Sequence, residues 1–220
     1  MIHSDLIKSD VSPVKSTDSV EFALGLFDEN KVYHLPVFEN GEYMGLVSEG
    51  DLLDAFDHEN TVKEGSSKLI RIFISEDRHI FDAIKLFSEF KLSILPVLNA
   101  KEEYLGYLSP FDIINGMGQM LSIESSGGIL ILKVNENDFF LSQIVQIVES
   151  DDAKILAFYV TSRPDNTQLE LTIKINKTDL SAIMQSLSRY EYEVAAAYHQ
   201  SSDELDLQFR YENFIKYLNI

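Results

Sequence analysis

Gly45-Leu46-Val47-Ser48-Glu49-Gly50-Asp51 is the stretch that decides the fold of the first half of the chain. It follows His34-Leu35-Pro36-Val37-Phe38, an apolar run that contains proline, and a turn signal with Asn40-Gly41 separates the two. Asn-Gly suits the positive φ angles of a two-residue hairpin turn. The pattern therefore predicts a strand, a tight hairpin, a second strand and then a helix.

Ser48 and Asp51 stand where the second strand is expected to become the helix. The Ser48 hydroxyl can accept a hydrogen bond from a free amide of the first helical turn. The Asp51 carboxylate, three residues later, can accept one from the backbone N–H of Ser48. Helix capping alone explains such a pair, and it stabilises a helix by about 1 kcal/mol without any ligand. The pair is therefore compatible with a structural cap and with a binding site.

The same pattern returns about sixty residues later. Ile94-Leu95-Pro96-Val97-Leu98 matches the proline run, and Gly106-Tyr107-Leu108-Ser109-Pro110-Phe111-Asp112 matches the glycine-to-aspartate run. Upstream, Val20–Phe27 aligns with Ile80–Phe87. Internal similarity at such a period indicates one supersecondary unit used twice. Because the apolar positions of the two copies are in register, we expect the copies to share one core.

Two copies of a Leu-Pro-Val run followed by a Ser-x-x-Asp motif resemble the CBS domain, which usually occurs as a tandem pair called a Bateman module. The resemblance covers about the first 120 residues. It implies that the serine contacts a phosphate, that the aspartate binds ribose hydroxyls and that backbone near the proline holds adenine. It therefore implies a ligand such as AMP, ADP or ATP, the last with Mg²⁺, and no resident cofactor.

The candidate nucleotide-binding residues lie in both copies. They are His34, Pro36, Ser48, Asp51, Arg71, Ile94, Pro96, Ser109 and Asp112. His34 could face a base, although packing in the core or at its rim explains it equally well. Arg71 could meet a phosphate, although solvation at the surface is the commoner outcome for an arginine.

The charges beside the two motifs differ. The Ser48 motif contains Glu49 as well as Asp51, whereas the Ser109 motif has Pro110 and Phe111 before Asp112. Negative charge near a polyanion disfavours its binding. We therefore expect the Asp112 site to bind more tightly, and AMP or ADP to be preferred to ATP unless Mg²⁺ is present.

The sequence pattern changes after Glu124-Ser125-Ser126-Gly127-Gly128, a small-residue segment typical of a linker. Strands are predicted at residues 129–134, 153–161, 169–175 and 193–198, and helices at 139–149 and 179–190. This βαββαβ order resembles the ACT domain, a ferredoxin-like regulatory fold.

The turn at residues 135–139 lacks the Pro-Gly of amino-acid-binding members, so we expect no amino acid to bind there. The tail adds a predicted strand at 205–211 and a short helix to Ile220.

The predicted fold class is α/β (α+β), a CBS-domain pair followed by a ferredoxin-like ACT-like domain with an extra C-terminal strand and helix. The expected boundaries are CBS domain 1 at residues 1–62, CBS domain 2 at 66–122, a linker at 123–128 and the ACT-like domain at 129–220. Further helices are predicted at 1–8, 20–30, 52–58, 80–90 and 111–121, and a strand at 68–74. The domain order resembles the acetoin-utilisation protein B type of regulator.

Composition narrows the function classes. The net charge is −18 and both halves of the chain are acidic, which argues against a nucleic-acid partner, because such affinity comes largely from Lys and Arg on phosphates. Cysteine is absent, no apolar run is long enough to cross a bilayer, and the first residues do not form a signal peptide. We therefore expect a cytoplasmic protein without membrane contact.

Motifs of catalysis are missing. The five histidines have no ligand spacing, and no nucleophile elbow, Walker loop or dinucleotide-binding glycine pattern is present. These observations predict no metal site and no enzyme. The interpretation that fits best is a regulatory sensor, at least a homodimer, whose CBS pair binds an adenine nucleotide and controls a partner that the sequence does not name, or its own assembly. The alternatives are a ligand-free oligomerisation scaffold and a regulatory subunit of an enzyme encoded elsewhere.

Overall fold

A computed structural model of the protein describes residues 4–54, 60–66, 69–162 and 168–200. The chain divides into two compact units, residues 1–116 and 117–220. The predicted strand at 205–211 and the helix that follows it lie outside the described residues, as does the end of the helix predicted at 52–58.

The first repeat consists of a short strand, a helix, a hairpin and a second helix. Its elements are β1 (Val14–Lys15), α1 (Val20–Asn30), β2 (His34–Glu39), β3 (Glu42–Ser48) and α2 (Glu49–Asp54), and the one-turn helix α3 (Val62–Gly65) follows. Helix α1 begins after Ser19, whose side chain accepts a hydrogen bond from the backbone N–H of Phe22. The hairpin turns at Asn40 and Gly41, whose φ angles of 53° and 88° confirm the predicted Asn-Gly turn.

The second repeat has the same order of elements. They are β4 (Ile74–Ser75), α4 (Ile80–Phe90), β5 (Leu95–Leu98), β6 (Tyr104–Leu108) and α5 (Pro110–Met120). The sheet orders β1-β2-β3 and β4-β5-β6 correspond, with the short first strand parallel to the second in each. Each hairpin also carries a bulge at the same place, after Val37 in one repeat and after Val97 in the other. One supersecondary unit is therefore used twice.

Matching apolar positions of the two repeats are buried, as the sequence predicts. Leu35 and Leu95, at the start of the two proline runs, are fully buried, and so are the helix residues Ala23 and Ala83. Phe27 adds the largest fully buried side chain of α1. Burying a side chain of this size contributes roughly 1.5–3 kcal/mol, so these positions anchor each helix on its hairpin.

The segment that leads into each repeat pairs with the hairpin of the other repeat. Lys8 N donates to Tyr107 O at 2.9 Å and Tyr107 N donates to Lys8 O at 2.8 Å. Likewise, Leu46 N donates to Ile70 O at 2.9 Å and Ile70 N donates to Leu46 O at 3.1 Å. This reciprocal exchange is the pattern expected of an approximate two-fold relation between the repeats.

The crossed segments correct two sequence predictions. Within the described part of the helix predicted at residues 1–8, the chain forms a 3₁₀ turn at Ser4–Leu6, and Lys8 is extended where it pairs with Tyr107. The strand predicted at 68–74 is not continuous: Ile70 bridges to Leu46, and β4 starts only at Ile74. The reason is that these two pairings belong to different sheets, so the chain must turn between them.

The second unit is a four-stranded antiparallel sheet with two helices. Its elements are β7 (Gly127–Asn135), α6 (Leu141–Ser150), β8 (Ile155–Ser162), β9 (Gln168–Ile175), α7 (Ser181–Arg189) and β10 (Glu193–Gln200). The strand order β10-β7-β9-β8 is the ferredoxin-like arrangement that the βαββαβ pattern predicts. Helix α6 starts two residues later than predicted, because Glu136–Asp138 forms a 3₁₀ turn first.

Apolar side chains of both helices and of the sheet form one core in this second unit. Its largest fully buried members are Leu130, Leu132, Ile144 and Leu171, and Leu187 of α7 packs with them. Across both units, the described helices include none with the length and apolar character that crossing a bilayer requires.

Candidate functional site

Ser48 and Asp51 form a local cap at the junction of β3 and α2. Ser48 Oγ donates a hydrogen bond to Asp51 Oδ2 at 2.7 Å, and Asp51 N donates to Ser48 Oγ at 3.1 Å. Both side chains are half-buried. The predicted capping contact is therefore present, and it leaves the pair partly open to solvent.

His34 lies beside this pair, because its Cα is opposite Ser48 in the β2–β3 ladder. Its Nδ1 accepts a hydrogen bond from Ser93 N at 3.2 Å and lies 3.1 Å from Ser93 Oγ, which in turn accepts from Tyr33 N at 2.9 Å. Because Nδ1 is an acceptor, the imidazole is neutral and carries its proton on Nε2. Burial lowers the pKa of His34, and the nearby Asp51 carboxylate opposes this shift less strongly.

Ser109 and Asp112 form the corresponding cap at the start of α5. Ser109 N and Oγ donate to Asp112 Oδ2 at 3.0 and 2.6 Å, and Asp112 N donates to Ser109 Oγ at 3.3 Å. Unlike Asp51, Asp112 is almost completely buried, with 4% of its surface exposed. The two repeats therefore share a motif and differ in its accessibility.

Lys8 supplies the charge that Asp112 needs in its buried position. Lys8 Nζ lies 2.8 Å from Asp112 Oδ1. Burial by itself would raise the pKa of Asp112, but hydrogen bonds from Lys8 and Ser109 outweigh it and hold that pKa below its ordinary value. The same hydrogen bond to Asp112 raises the pKa of Lys8. The pair is therefore ionised at neutral pH.

Lys8 and Ser93 are absent from the residues that the sequence singled out. The internal repeat offers a way to find the position of Lys8. Lys8 pairs with Tyr107 in the same way as Ile70 pairs with Leu46, and Tyr107 and Leu46 are equivalent positions of the two repeats. No local pattern marks Ser93, since its partners Tyr33 and His34 lie in the other repeat.

The predicted residues of the proline runs are parts of the core. Pro36 and Pro96 are buried within β2 and β5, where they face Leu46 and Tyr107 of the neighbouring strands, and Ile94 is fully buried as well. Their side chains shape the hairpins that carry the two serine–aspartate pairs.

Arg71 lies in another place, at the tips of the two hairpins. Its Nη2 is 2.7 Å from Glu102 Oε2, and both side chains are largely exposed. Arg71 and Glu102 line a cavity of about 740 Å³ together with Phe38, Tyr43 and Tyr104. The structure therefore joins Arg71 to the hairpin turns, while His34, Ser48 and Asp51 stand at the opposite end of β2 and β3.

The chemistry of the two pairs suits binding. Carboxylates accept hydrogen bonds from hydroxyl groups, and serine hydroxyls can donate to phosphate oxygens. In the part of the chain that the structure describes, no group of three histidine, aspartate or glutamate side chains is arranged to hold a metal ion.

A family profile matches the half of the chain that contains both serine–aspartate pairs. A profile of the CBS domain matches residues 4–58 and 69–118. Over 111 residues, half of this chain, the sequence is 25% identical to an uncharacterised protein of Methanocaldococcus jannaschii, of which the match spans 42%. The chain therefore covers less than half the length of that relative.

Two solved structures are each similar to slightly more than half of the chain. The crystal structure of a CBS domain pair/ACT domain protein from Thermotoga maritima matches with a TM-score of 0.50 and 24% identity, over 55% of this chain and 99% of that chain. The crystal structure of CBSX2, an Arabidopsis thaliana protein, in complex with AMP matches with a TM-score of 0.46 and 25% identity, over 53% of this chain and 95% of that chain. The repeated topology, the two serine–aspartate pairs and the profile match agree: residues 4–58 and 69–118 are a tandem pair of CBS domains, and a ferredoxin-like domain follows them in the chain.

Proposed function

We propose that this protein is a cytoplasmic regulatory sensor whose CBS pair binds an adenine nucleotide of the AMP, ADP or ATP type. The observation that carries the proposal is the Ser48–Asp51 pair, which is polar, half-exposed and placed at the start of α2 beside His34. CBS pairs are in general regulatory modules without catalytic activity, so the proposed role is sensing.

The Asp51 carboxylate has the chemistry to recognise a ribose. Its Oδ2 is engaged by Ser48, and among the described residues no cation lies within ion-pair distance of it. A ribose diol could donate to this carboxylate, since an ionised aspartate has about four lone-pair positions. The Ser48 hydroxyl would then turn toward a phosphate, as the family resemblance implies.

The nearby acidic residues favour a ligand with few charges. Glu49 adjoins Ser48, and Asp51 follows two residues later. Each added phosphate increases the repulsion from these carboxylates, whereas Mg²⁺ reduces it. We therefore propose AMP or ADP as the ligand, or ATP when it is bound as its magnesium complex.

Thermal-shift measurements followed by calorimetry test the proposal. The wild-type protein is titrated with AMP, ADP, ATP with and without Mg²⁺, adenosine and S-adenosylmethionine. A ligand that binds only the folded state raises the melting temperature, by an amount that grows with the ratio of ligand concentration to Kd. Asp51→Asn should reduce the response, and Asp54→Asn, at an exposed position of the same helix, is the matched control that should preserve it.

A flat response to every nucleotide would favour the second candidate function, a ligand-free oligomerisation scaffold. The observation behind that alternative is the exposed apolar surface of α5, where Phe111 and Ile114 are each 65% exposed. Exposed apolar patches commonly mark interaction sites.

The same surface supports the proposal of a homodimer. Closed two-fold association is the commonest solution for soluble oligomers. Sedimentation velocity at micromolar concentration should show a dimer in either functional interpretation, and Ile114→Asp should shift it toward the monomer. A wild-type monomer would contradict the assembly proposal and leave the nucleotide proposal to its own test.

For the regulated target, we propose only its class, which is a partner protein or the assembly of this protein itself. We propose that nucleotide binding to the CBS pair changes how the protein assembles or how it engages a partner, with the ferredoxin-like ACT-like domain as the relay. The domain order supports a regulator of the acetoin-utilisation protein B type or a regulatory subunit of a separately encoded enzyme.

A further inference from the structure

We propose that Lys8 closes the second of the two potential nucleotide sites by occupying the Asp112 carboxylate, so that the CBS pair takes up nucleotide only at Asp51. This inference deepens the proposed function and rests on it. It concerns which of the two CBS domains can accept a nucleotide, and the contacts between Lys8 and Asp112 support it.

The position of Lys8 is fixed by its backbone. Lys8 makes both backbone hydrogen bonds to Tyr107, and the Tyr107 hydroxyl donates to Asp10 Oδ1 at 2.6 Å, two residues further along the lead-in segment. Gly106 allows this close approach, because a Cβ on Gly106 would clash with the carbonyl oxygen of Lys8. The Lys8 side chain therefore begins from a defined point beside Asp112.

Both oxygens of the Asp112 carboxylate already accept hydrogen bonds from the protein itself. Lys8 Nζ binds Oδ1, and Ser109 N and Oγ both donate to Oδ2. With 4% of the residue exposed, a ribose diol could reach these oxygens only by displacing the ammonium group. Displacement would leave a buried carboxylate without its counter-charge, which is unfavourable.

Among the residues that the structure describes, the first repeat has no counterpart of this ion pair. Ile70 occupies the place that corresponds to Lys8, and it pairs with Leu46 as Lys8 pairs with Tyr107. An isoleucine side chain cannot neutralise a carboxylate, and Asp51 has no ion pair within the described ranges of the chain. Asp51 is also half-exposed. Beside the hydrogen bond from Ser48, its carboxylate keeps acceptor positions for a ligand.

The local charges of the motifs alone favour the opposite order of affinity, with the Asp112 site binding nucleotide more tightly than the Asp51 site. Glu49 adds a negative charge beside Ser48, and the corresponding position in the second repeat is Pro110. That difference acts on a phosphate at some distance, whereas Lys8 contacts Asp112 Oδ1, one of the two oxygens that a ribose would use. A direct ion pair outweighs a screened repulsion between exposed groups.

Calorimetric titration with AMP tests the inference, with the number of bound nucleotides per chain as the readout. The wild-type protein should bind one equivalent, and Lys8→Ile, which copies the residue of the first repeat, should bind one equivalent more than the wild type. The reciprocal change Ile70→Lys should weaken the wild-type binding roughly tenfold or more, because it removes charge-assisted hydrogen bonds to the ligand. Lys85→Gln, at an exposed position of α4, controls for the loss of one positive charge.

The outcomes separate this inference from the proposed function. A folded Lys8→Ile variant that binds no more AMP than the wild type overturns the inference, and so does a wild-type protein that binds two equivalents. A wild type that binds none while Lys8→Ile binds one supports the role of Lys8 and contradicts nucleotide sensing by the wild-type protein. If circular dichroism shows that Lys8→Ile is unfolded, Ile70→Lys decides, and unchanged AMP affinity in that variant overturns the inference.

Discussion

The backbone N–H of Tyr33 donates a hydrogen bond to Ser93 Oγ at 2.9 Å, and these two residues occupy equivalent positions of the two repeats, 60 residues apart. Ser93 also donates its backbone N–H to His34 Nδ1, so one residue of the second repeat holds the strand that begins the hairpin of the first. The repeats are joined at the residues that precede their proline runs. A change at His34 should therefore affect the whole pair.

We predict that the free energy of unfolding decreases as the pH falls below about 7, in part through His34. The pKa of His34 is lowered in the folded protein, so the unfolded chain takes up a proton near pH 6.5 that the folded chain still excludes. Stability from this residue is present above the unfolded pKa and is lost as the pH falls toward the folded one. The slope from one histidine is at most about 1.4 kcal/mol per pH unit.

Urea denaturation of the wild type and of His34→Gln between pH 5 and 7.5 measures this effect. Glutamine keeps an acceptor for Ser93 N–H and does not titrate, so the variant should show a shallower pH dependence. Equal slopes for the two proteins would contradict the assignment of a neutral, half-buried His34.

Asp112 should matter more for stability than its counterpart Asp51. We expect Asp112→Ala to lower the free energy of unfolding by about 2–3 kcal/mol, because it removes a cap and the partner of Lys8. Asp51→Ala should lower it by about 1 kcal/mol, which is the loss of a cap alone. Chemical denaturation at pH 7 gives the two values, and equal losses would refute the difference in environment.

Glycine at position 106 should be required for the stability of the fold. Its φ of 142° and the clash that a Cβ would make with the Lys8 carbonyl predict that Gly106→Ala costs more than about 3 kcal/mol or prevents folding. Gly25→Ala is the matched control, since Gly25 lies within α1 with no atom in the way of a Cβ. It should raise the melting temperature, because alanine favours a helix over glycine by roughly 0.5–1 kcal/mol.

The ferredoxin-like domain should not bind a free amino acid in the turn after β7. Glu136–Asp138 forms a 3₁₀ turn there, and Asn135 Nδ2 donates to Asp138 Oδ2 at 3.2 Å. The turn contains no glycine, and its carboxylates would repel the carboxylate of an amino acid. Calorimetry with the common amino acids should give no saturable heat, and saturable binding of one of them would disprove this prediction.

The elements that follow from short-range patterns were predictable. Helix α4 has the predicted bounds, and both Ser-x-x-Asp caps are formed, because the groups that make a cap lie three residues apart in the sequence. The Asn40-Gly41 turn belongs to the same class. Local geometry is enough to define each of these features.

The features that the sequence patterns missed depend on distant partners. Nothing near Lys8 in the sequence indicates that its ammonium group reaches Asp112, and nothing near Ile70 indicates that it pairs with Leu46. Both contacts arise only when the two repeats have come together. The charges within the Ser109–Asp112 motif therefore gave an incomplete description of the surroundings of Asp112, because they did not include Lys8.

The crossed lead-in segments also determine the order in which the CBS pair can fold. The hydrogen bond between Asp10 and Tyr107 joins residues 97 positions apart, so this contact of the first lead-in segment cannot form until the second hairpin has been synthesised. Contacts of such long sequence separation slow folding, because a large loop must close before they form. The first repeat therefore emerges from the ribosome incomplete, and the pair becomes a cooperative folding unit only when residue 107 is available.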